Sequence, residues 1–246
     1  MKILKFGGTS VGSVESIQAV LKIVKASFDA GEKPLVVLSA MSGVTNLLTQ
    51  MAEDAAAGKP FDEGLKQLEE RHFDVDKKLI AVKYQNPVLT RLKLLFNELE
   101  ELLQGVSALK ELSNQSRDLI VSFGERCSNY LVAKVMEQEV PEAEYINASY
   151  YVKTDSNFGN AHLNEPLTTQ LIQALSHTHA DKLLFVTGFI GSNEQGRMTT
   201  LGRGGSDTSA VAMAAALKAD ECLIYTDVDG VYTTDPRVCE DARRLD

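Results

Sequence analysis

The segment Leu201-Gly-Arg-Gly-Gly-Ser-Asp-Thr-Ser-Ala210, with the alanine-rich run that follows it to residue 217, decides how the rest of the chain is interpreted. Glycine tolerates positive φ and lets backbone approach a ligand closely, and Ser206 or Asp207 is suited to cap the following helix. A helix N-terminus offers free N–H groups and a positive dipole end to an anion. Arg203 adds a guanidinium that matches a carboxylate or a phosphate. The segment predicts an anion site, although its glycines alone fit a flexible loop before a buried helix equally well.

Short apolar runs alternate with helical patterns in the rest of the chain. Strands are predicted at residues 3–6, 34–38, 144–147, 182–187 and 221–226, and helices at 14–28, 46–57 and 167–175. Ser13 is predicted to cap the first helix and Gly31 to end it. Residues 196–200 are predicted to form one arm of a hairpin. Because strands that alternate with helices imply crossover connections, the order predicts an α/β fold with a parallel sheet.

A long helical stretch is predicted at residues 61–139, where helices that pack on each other or on the sheet are favoured over a partner-binding helix. Within it, the adjacent charges of Glu125 and Arg126 predict, taken alone, a solvated surface pair. The histidines show no metal-ligand spacing and are expected at the surface; they are His72, His162, His177 and His179. The apolar residues at helical spacing are Leu89, Leu92, Leu95, Phe96, Leu99, Leu102, Leu103, Val106 and Leu109.

Composition excludes several classes of protein. The chain has 246 residues, which allows one large domain or two small ones, and a net charge of -9 that argues against nucleic-acid and polybasic membrane surfaces. Its three cysteines are scattered without disulfide or zinc spacing, so a reducing, cytoplasmic location is expected. No apolar run approaches membrane-spanning length, and the N-terminus lacks the apolar region of a signal peptide.

Four loops rich in glycine, serine or threonine follow predicted strands, at residues 7–12, 39–46, 188–191 and 227–237. Ligands of open α/β sheets bind outside the carboxyl ends of the strands, so these loops and the segment around Arg203 are expected to meet at one edge. The sequence has no P-loop, no G-x-G-x-x-G after a strand and no G-x-S-x-G. The site is therefore predicted to be neither a P-loop, a Rossmann dinucleotide site nor a serine-hydrolase triad.

Six ordered motifs carry a resemblance to a known family. They are Lys5-Phe-Gly-Gly-Thr-Ser-Val11, Ser122-Phe-Gly-Glu125, Thr154-Asp155 with Phe158-Gly159, Gly188-Phe-Ile-Gly191, Thr200-Leu-Gly-Arg-Gly-Gly-Ser-Asp207, and Tyr225-Thr-Asp227 with Gly230-Val-Tyr-Thr-Thr-Asp-Pro-Arg237. In this order they resemble the motifs of the aspartokinases, which belong to the amino acid kinase superfamily. The helical stretch at residues 61–139 resembles that of the monofunctional, lysine-sensitive type.

The resemblance implies a fold, a reaction and its ligands. The fold is a three-layer αβα sandwich with a mainly parallel central sheet, here a single catalytic domain over residues 1–246. The reaction is transfer of the ATP γ-phosphoryl group, with Mg²⁺, to the side-chain carboxylate of L-aspartate, the first step toward lysine, threonine and methionine. The family further implies a homodimer in the full-length protein. The cysteines and the acidic charge already predict a cytoplasmic enzyme with neither nucleic acid nor membrane as partner.

The resemblance also assigns roles to individual residues. Lys5 contacts the transferring phosphate and Asp207 orients Lys5; both are expected to be catalytic. Arg203 binds the substrate α-carboxylate and Glu125 its ammonium group, with further substrate contacts from Ser39, Thr45, Phe189, Gly204, Gly205 and Ser206. The nucleotide side is assigned to Lys5, Gly7, Gly8, Thr226, Asp227, Tyr232 and Arg237. No protein ligand is expected for the metal, because phosphate oxygens and water hold Mg²⁺ in such sites.

Three expectations remain open at the level of sequence. Aspartokinases continue with more of the catalytic domain, including a lysine near the nucleotide, and with paired ACT domains; on that basis the chain is expected to be a shortened form that binds ATP weakly and turns over slowly. Another amino acid kinase, acting on glutamate, acetylglutamate or a nucleotide, is the alternative enzyme. A metabolite-binding module or a dimerisation scaffold without catalysis is the alternative from another class.

Overall fold

A parallel sheet of five strands, in the order β3-β4-β2-β1-β7, forms the centre of the protein. The structure is a computed structural model that describes residues 1–226, 230, 233–234, 238–239 and 241–244. The strands of this sheet are β1 (Lys2–Phe6), β2 (Leu35–Leu38), β3 (Ala143–Ile146), β4 (Leu183–Thr187) and β7 (Glu221–Tyr225). Between β4 and β7, β5 (Ile190–Ser192) and β6 (Met198–Thr200) form the predicted antiparallel hairpin. All five predicted parallel strands are confirmed.

Helices connect the strands. They are α1 (Val14–Asp29), α2 (Val44–Ala56), α3 (Asp62–Leu79), α4 (Val82–Leu109), α5 (Asn114–Val121), α6 (Phe123–Glu137), α7 (Glu165–Thr178) and α8 (Gly205–Leu217). Ser13 caps α1 as predicted, accepting the Ser16 N–H at 3.2 Å, and Gly31 follows the end of α1 with φ of 75°. The predicted side-chain cap of α8 is wrong, since the N-cap is Gly204 in the left-handed conformation and no side chain caps it.

Alternate residues of each strand face two different hydrophobic layers, because side chains alternate across a strand. Leu4, Val36 and Phe185 pack into one cluster with α1, α2, α3, α4 and α6. Ile3, Val37 and Val186 pack into a second cluster on the opposite face with α7 and α8. Helices therefore cover both faces of the sheet, which confirms the three-layer αβα sandwich.

The helical stretch packs against the sheet and on itself. In α4 the predicted stripe is buried at Leu92, Leu95, Phe96, Leu99, Leu103 and Val106, whereas Leu109, at its end, is exposed. The expectation that all histidines lie at the surface is wrong for His72, which is 0% exposed and packs edge-on against Phe96. His72 lies on the apolar stripe of α3, four residues after Leu68, so its position in the helix buries it. Among the described residues, no helix is both long and apolar enough to cross a membrane.

Candidate active site

A cavity of about 380 Å³ opens at the carboxyl ends of β1, β2 and β4. The loops after these strands and the turn before α8 meet there, as the sequence predicts for ligand sites of parallel sheets. α6 supplies another wall. Eleven of the predicted site residues line the cavity: Lys5, Gly8, Ser39, Thr45, Glu125, Phe189, Arg203, Gly204, Gly205, Ser206 and Asp207.

Lys5 and Asp207 form an ion pair in this cavity. Lys5 lies at the end of β1, between β2 and β7, and is 7% exposed. Its Nζ lies 2.7 Å from Oδ1 of Asp207, in the first turn of α8. The approach lacks hydrogen-bond geometry, since Oδ1 has no hydrogen-bond partner among the described residues. Asp207 therefore holds the lysine ammonium by charge at the wall of the cavity.

Two helix N-termini point into the cavity. α2 begins after Gly43, which has φ of 79°, and α8 begins after Gly204, with φ of 73°. A residue with a Cβ is strained at such angles, whereas glycine adopts them readily. Glycine at these positions therefore allows the turn that brings each helix start close to the cavity. Thr45 lies in the first turn of α2 and Ser206 in the first turn of α8. Because the N-terminal ends of helices attract anions, this geometry favours negatively charged groups.

Glu125 places a buried carboxylate in the same cavity. Its side chain is on the first turn of α6 and the residue is 3% exposed. Oε1 accepts the Ala40 N–H at 3.1 Å, whereas Oε2 has no partner among the described residues. Burial raises the pKa of Glu125 to about 8, against the lowering effect of the Ala40 N–H. A buried carboxylate oxygen without a partner is costly, so it favours binding of a cation.

The solvated surface pair predicted from Glu125 and Arg126 alone is wrong, because Glu125 is buried. Arg126 pairs with Glu98 of α4 instead.

Two side chains next to Glu125 fix α6 against the loop after β2. Ser128 Oγ donates to the Ser39 carbonyl at 2.8 Å, and Asn129 Nδ2 donates to the Leu38 carbonyl at 3.2 Å and the Glu125 carbonyl at 2.9 Å. The sequence interpretation missed both residues. Their signal is helical spacing, because positions three and four after Glu125 lie on the same face of α6.

Phe189 and Arg203 line the side of the cavity formed by the hairpin. Phe189 has φ of 67°, unusual for a bulky side chain, and Ser209 Oγ of α8 accepts its N–H at 2.9 Å. The Leu201 N–H donates to the Phe189 carbonyl at 2.9 Å, which ties this turn to the segment before Arg203. Strained backbone persists where neighbours fix it and concentrates at functional sites. The side chain of Arg203 is exposed and makes no hydrogen bond or ion pair within the described part of the chain.

Some predicted nucleotide residues are not brought into the cavity. Gly7 does not line it, and its N–H donates to the Tyr225 carbonyl at 3.4 Å. Thr226 is exposed and does not line the cavity. Asp227, Tyr232 and Arg237 lie outside the described residues. Within those residues, no group of three or more His, Cys, Asp or Glu side chains could hold a metal ion.

The fold and the cavity together define an α/β protein whose cavity is lined by the cationic Lys5 and Arg203 and by the partnerless Glu125 oxygen. The sequence model of the Amino acid kinase family matches residues 1–246. The chain belongs to the amino acid kinase family.

Individual relatives narrow the comparison. The chain is 41% identical over 245 residues to the aspartate kinase of Pseudomonas fluorescens SBW25, covering 99% of this chain and 46% of that protein. It is 36% identical over 254 residues to the lysine-sensitive aspartokinase 3 of Escherichia coli K12, covering 99% of this chain and 53% of that protein. The crystal structure of E. coli aspartokinase III with aspartate and ADP superposes with a TM-score of 0.90 at 33% identity, over 100% of this chain and 53% of that one. The chain thus spans about half the length of the relatives that it matches.

Proposed function

We propose that the chain is the catalytic part of an ATP-dependent L-aspartate kinase that forms 4-phospho-L-aspartate. The observation that carries this proposal is the pairing, in one cavity, of the partnerless Glu125 oxygen with the exposed guanidinium of Arg203. A free amino acid has an ammonium and an α-carboxylate on one carbon, and these two side chains complement both. Two relatives that the chain resembles are named aspartate kinase or aspartokinase, and the crystal structure of the E. coli aspartokinase III contains aspartate and ADP.

The transfer step needs positioning and charge neutralisation rather than a base. The side-chain carboxylate of aspartate is ionised at neutral pH, so its oxygen attacks the γ-phosphorus directly. The bond from that phosphorus to the β–γ bridging oxygen breaks, and ADP leaves with the electron pair. Lys5 neutralises charge on the transferring group, Gly8 and the N-terminus of α8 add N–H donors, and Asp207 holds Lys5 in place. Ser39, Thr45 and Phe189 border the aspartate, as do Gly204, Gly205 and Ser206.

Mg²⁺ fits this cavity as a partner of the nucleotide. Asp207 is the cavity-lining carboxylate that is half-exposed, and one or two carboxylates with phosphate oxygens and water are a usual Mg²⁺ environment. When bound, the ion supplies charge neutralisation at the phosphate oxygens. On the family motif alone, we propose that the nucleotide is also bound by Gly7, Thr226, Asp227, Tyr232 and Arg237. A homodimer of the full-length protein, a location in the cytoplasm and a single catalytic domain over residues 1–246 likewise remain proposals.

A coupled assay of ADP release tests the proposal. We expect release with L-aspartate, and none above the water rate with L-glutamate or without an acceptor. Lys5→Ala and Asp207→Ala are expected to abolish the aspartate-dependent rate, whereas Lys78→Met, which breaks an exposed ion pair with Asp74 on α3, is the matched control. Equal rates with L-glutamate would favour another amino acid kinase. ATP binding without any acceptor-dependent release would favour a metabolite-binding module.

Acetylated substrates separate the aspartate kinase from an acetylglutamate kinase. N-acetylation removes the ammonium group and would leave Glu125 Oε2 buried without a partner. We therefore expect N-acetyl-L-aspartate and N-acetyl-L-glutamate to be poor acceptors. A higher rate with either than with L-aspartate would contradict the role given to Glu125.

A further inference from the structure

Asp118 is a buried carboxylate outside the cavity. It lies on α5 and is 1% exposed, and it is not among the residues that line the cavity. A buried charge is costly unless hydrogen bonds compensate it. The groups that compensate Asp118 therefore show which parts of the chain it holds in place.

Three donors converge on this carboxylate from distant segments. Oδ2 accepts the N–H of Gly159 at 2.9 Å and the N–H of Thr200 at 2.9 Å. Oδ1 accepts the Thr200 hydroxyl at 2.8 Å. Burial raises the pKa of Asp118, and these three bonds oppose the shift. Asp118 thus connects α5 at the same time to the loop around Gly159 and to the end of β6.

The two segments held by Asp118 are the ones that support Arg203. Thr200 ends β6, and its carbonyl accepts the Ala161 N–H at 2.9 Å, so the two segments are also bonded to each other. Gly202 has φ of 73°, and a Cβ on it would collide with the side chain of Asn160. The Gly202–Arg203 turn therefore rests directly on the segment that Asp118 fixes.

We propose that Asp118 is a positioning residue for substrate binding: it holds the Thr200 and Gly159 segments so that Arg203 is placed to bind the α-carboxylate of the amino-acid substrate. This inference rests on the proposed function, because it takes L-aspartate as the ligand of Arg203. It assigns to α5, and so to the helical block formed by α3, α4, α5 and α6, a specific part in recognition. Asp118 does not touch the substrate; it acts through Thr200, three residues before Arg203, and through the loop around Gly159 on which the Gly202–Arg203 turn rests.

The role predicts a loss of affinity for one ligand only. Asp118→Ala leaves the buried N–H and hydroxyl of Thr200 without an acceptor and releases the N–H of the exposed Gly159, so the Arg203 turn loses its fixed position. We expect the dissociation constant of L-aspartate to rise about tenfold or more, a typical loss when a charged contact is misplaced. The dissociation constant of Mg–ADP is expected to stay within about twofold, since Lys5 and Gly8 are not connected to Asp118.

Asp118→Asn is the conservative variant that separates positioning from charge. Its amide oxygen can accept both backbone N–H groups, and its NH₂ group can donate to the Thr200 hydroxyl, whose oxygen is also an acceptor. All three bonds are then retained without the negative charge. We expect this variant to restore L-aspartate binding to within about threefold of wild type.

The experiment is calorimetric titration of the chain with L-aspartate and with Mg–ADP, alongside thermal unfolding of each variant. Asp76→Ala is the matched control, because Asp76 is a carboxylate that is 0% exposed in α3, away from the cavity. Both oxygens of Asp76 lack a hydrogen-bond partner among the described residues, so this variant removes a buried carboxylate without breaking a hydrogen bond. It is expected to leave the ratio of the two dissociation constants unchanged. If Asp118→Ala does not fold, Thr200→Val removes only the hydroxyl bond and is expected to weaken L-aspartate binding by about threefold.

The outcomes are distinct. If the wild-type chain binds L-aspartate and the Asp118→Ala variant binds it equally well, the inference is wrong and the proposed function is retained. Equal weakening of L-aspartate and Mg–ADP also overturns it, since that pattern marks a general structural role. A wild-type chain that binds no L-aspartate overturns the proposed function, and the inference with it.

Discussion

Glu125 shows how a single residue can favour binding at the expense of stability. Its partnerless oxygen is buried, and its pKa is raised by burial from the usual 4.5 to about 8. Between these two values the folded chain holds a proton that the unfolded chain has released. The free energy of unfolding therefore falls as the pH rises from about 4.5 toward 8. Binding of an ammonium group would offset this penalty.

Glu125→Gln is therefore expected to stabilise the protein while it disables the site. The amide oxygen can still accept the Ala40 N–H, and an uncharged NH₂ group replaces the partnerless oxygen. We expect the free energy of unfolding at pH 8 to rise by about 1 kcal/mol, measured by urea denaturation. Affinity for L-aspartate should fall by about thirtyfold, or roughly 2 kcal/mol. Lower stability at pH 8 together with unchanged affinity would contradict the role of Glu125.

The same pKa predicts how substrate binding depends on pH. Below about pH 8 the free site holds protonated Glu125, so an incoming ammonium group must displace that proton. Affinity for L-aspartate should rise with pH up to about 8, by at most about tenfold per unit, with release of up to about one proton per ligand. Calorimetry in buffers of different ionisation enthalpy measures this release. Glu125→Gln should show neither effect, and a flat wild-type profile between pH 6 and 8 would rule the linkage out.

At the scale of secondary structure, β1, β2 and β4 could be predicted from the sequence because they are buried on both faces. Such strands appear as uninterrupted apolar runs, and their ends were predicted to within a residue or two. The start of α8 could not be predicted in the same way. Asp207 is a good helix cap by local rules, but in the folded chain its carboxylate pairs with Lys5, which is 202 positions away. Local propensity does not include such a long-range partner.

Local sequence also fails to show the long-range partners of the site residues. Glu125 and Arg126 resemble a surface pair when only their neighbours in sequence are considered, and motif resemblance alone identified Glu125. Asp118 and Ser209 carry no local signal, because their partners are backbone groups of distant segments. A sequence shows a charged or hydroxyl side chain at these positions, but only the fold shows which backbone groups it satisfies.

Arg71 of α3 joins the two loops that follow β1 and β2. Its guanidinium donates to the Ser42 carbonyl at 2.9 Å and to the Gly12 carbonyl at 3.4 Å. These loops contribute Gly8, Ser39 and other residues to the cavity. A side chain that bridges both loops should affect the affinity for both L-aspartate and Mg–ADP, whereas Asp118 is proposed to affect only the affinity for L-aspartate.

We expect Arg71→Met to weaken L-aspartate and Mg–ADP together, each by about fivefold, or roughly 1 kcal/mol. The methionine keeps the length of the side chain but cannot donate. Calorimetric titration with each ligand measures the change, and Lys78→Met on the same helix is the control. A loss confined to one ligand would show that Arg71 supports only one loop.

At the scale of the whole molecule, the helical block is part of the site rather than a separate scaffold. α6 supplies Glu125, while α5 and α3 hold the cavity loops through Asp118 and Arg71. The remaining wall comes from the loops of the sheet and from α8. The cavity therefore lies between two parts of the fold. In the proposed function each part faces a different group of the substrate: Glu125 the ammonium, and Arg203 the α-carboxylate.

Substrate analogues test this division of the cavity. N-acetyl-L-aspartate lacks the ammonium group, which is the proposed partner of Glu125. β-Alanine lacks the α-carboxylate, which is the proposed partner of Arg203. We expect saturating L-aspartate, at about 100 times its dissociation constant, to stabilise the chain by about 2.7 kcal/mol, a rise of roughly 5–10 °C in Tm. Either analogue at the same concentration should give less than about half of that rise, measured by thermal unfolding.

Combining the analogues with variants makes the test specific to each wall. Arg203→Ala should weaken L-aspartate strongly but β-alanine hardly at all, because β-alanine has no α-carboxylate to lose contact with that side chain. Glu125→Gln should likewise weaken L-aspartate far more than N-acetyl-L-aspartate. Each pair of variant and analogue forms a thermodynamic cycle. In both cycles the losses of binding free energy caused by the variant and by the analogue should be non-additive by about 1 kcal/mol or more, since the two changes remove the same contact. Additive losses would mean that Arg203 and Glu125 do not face the groups assigned to them.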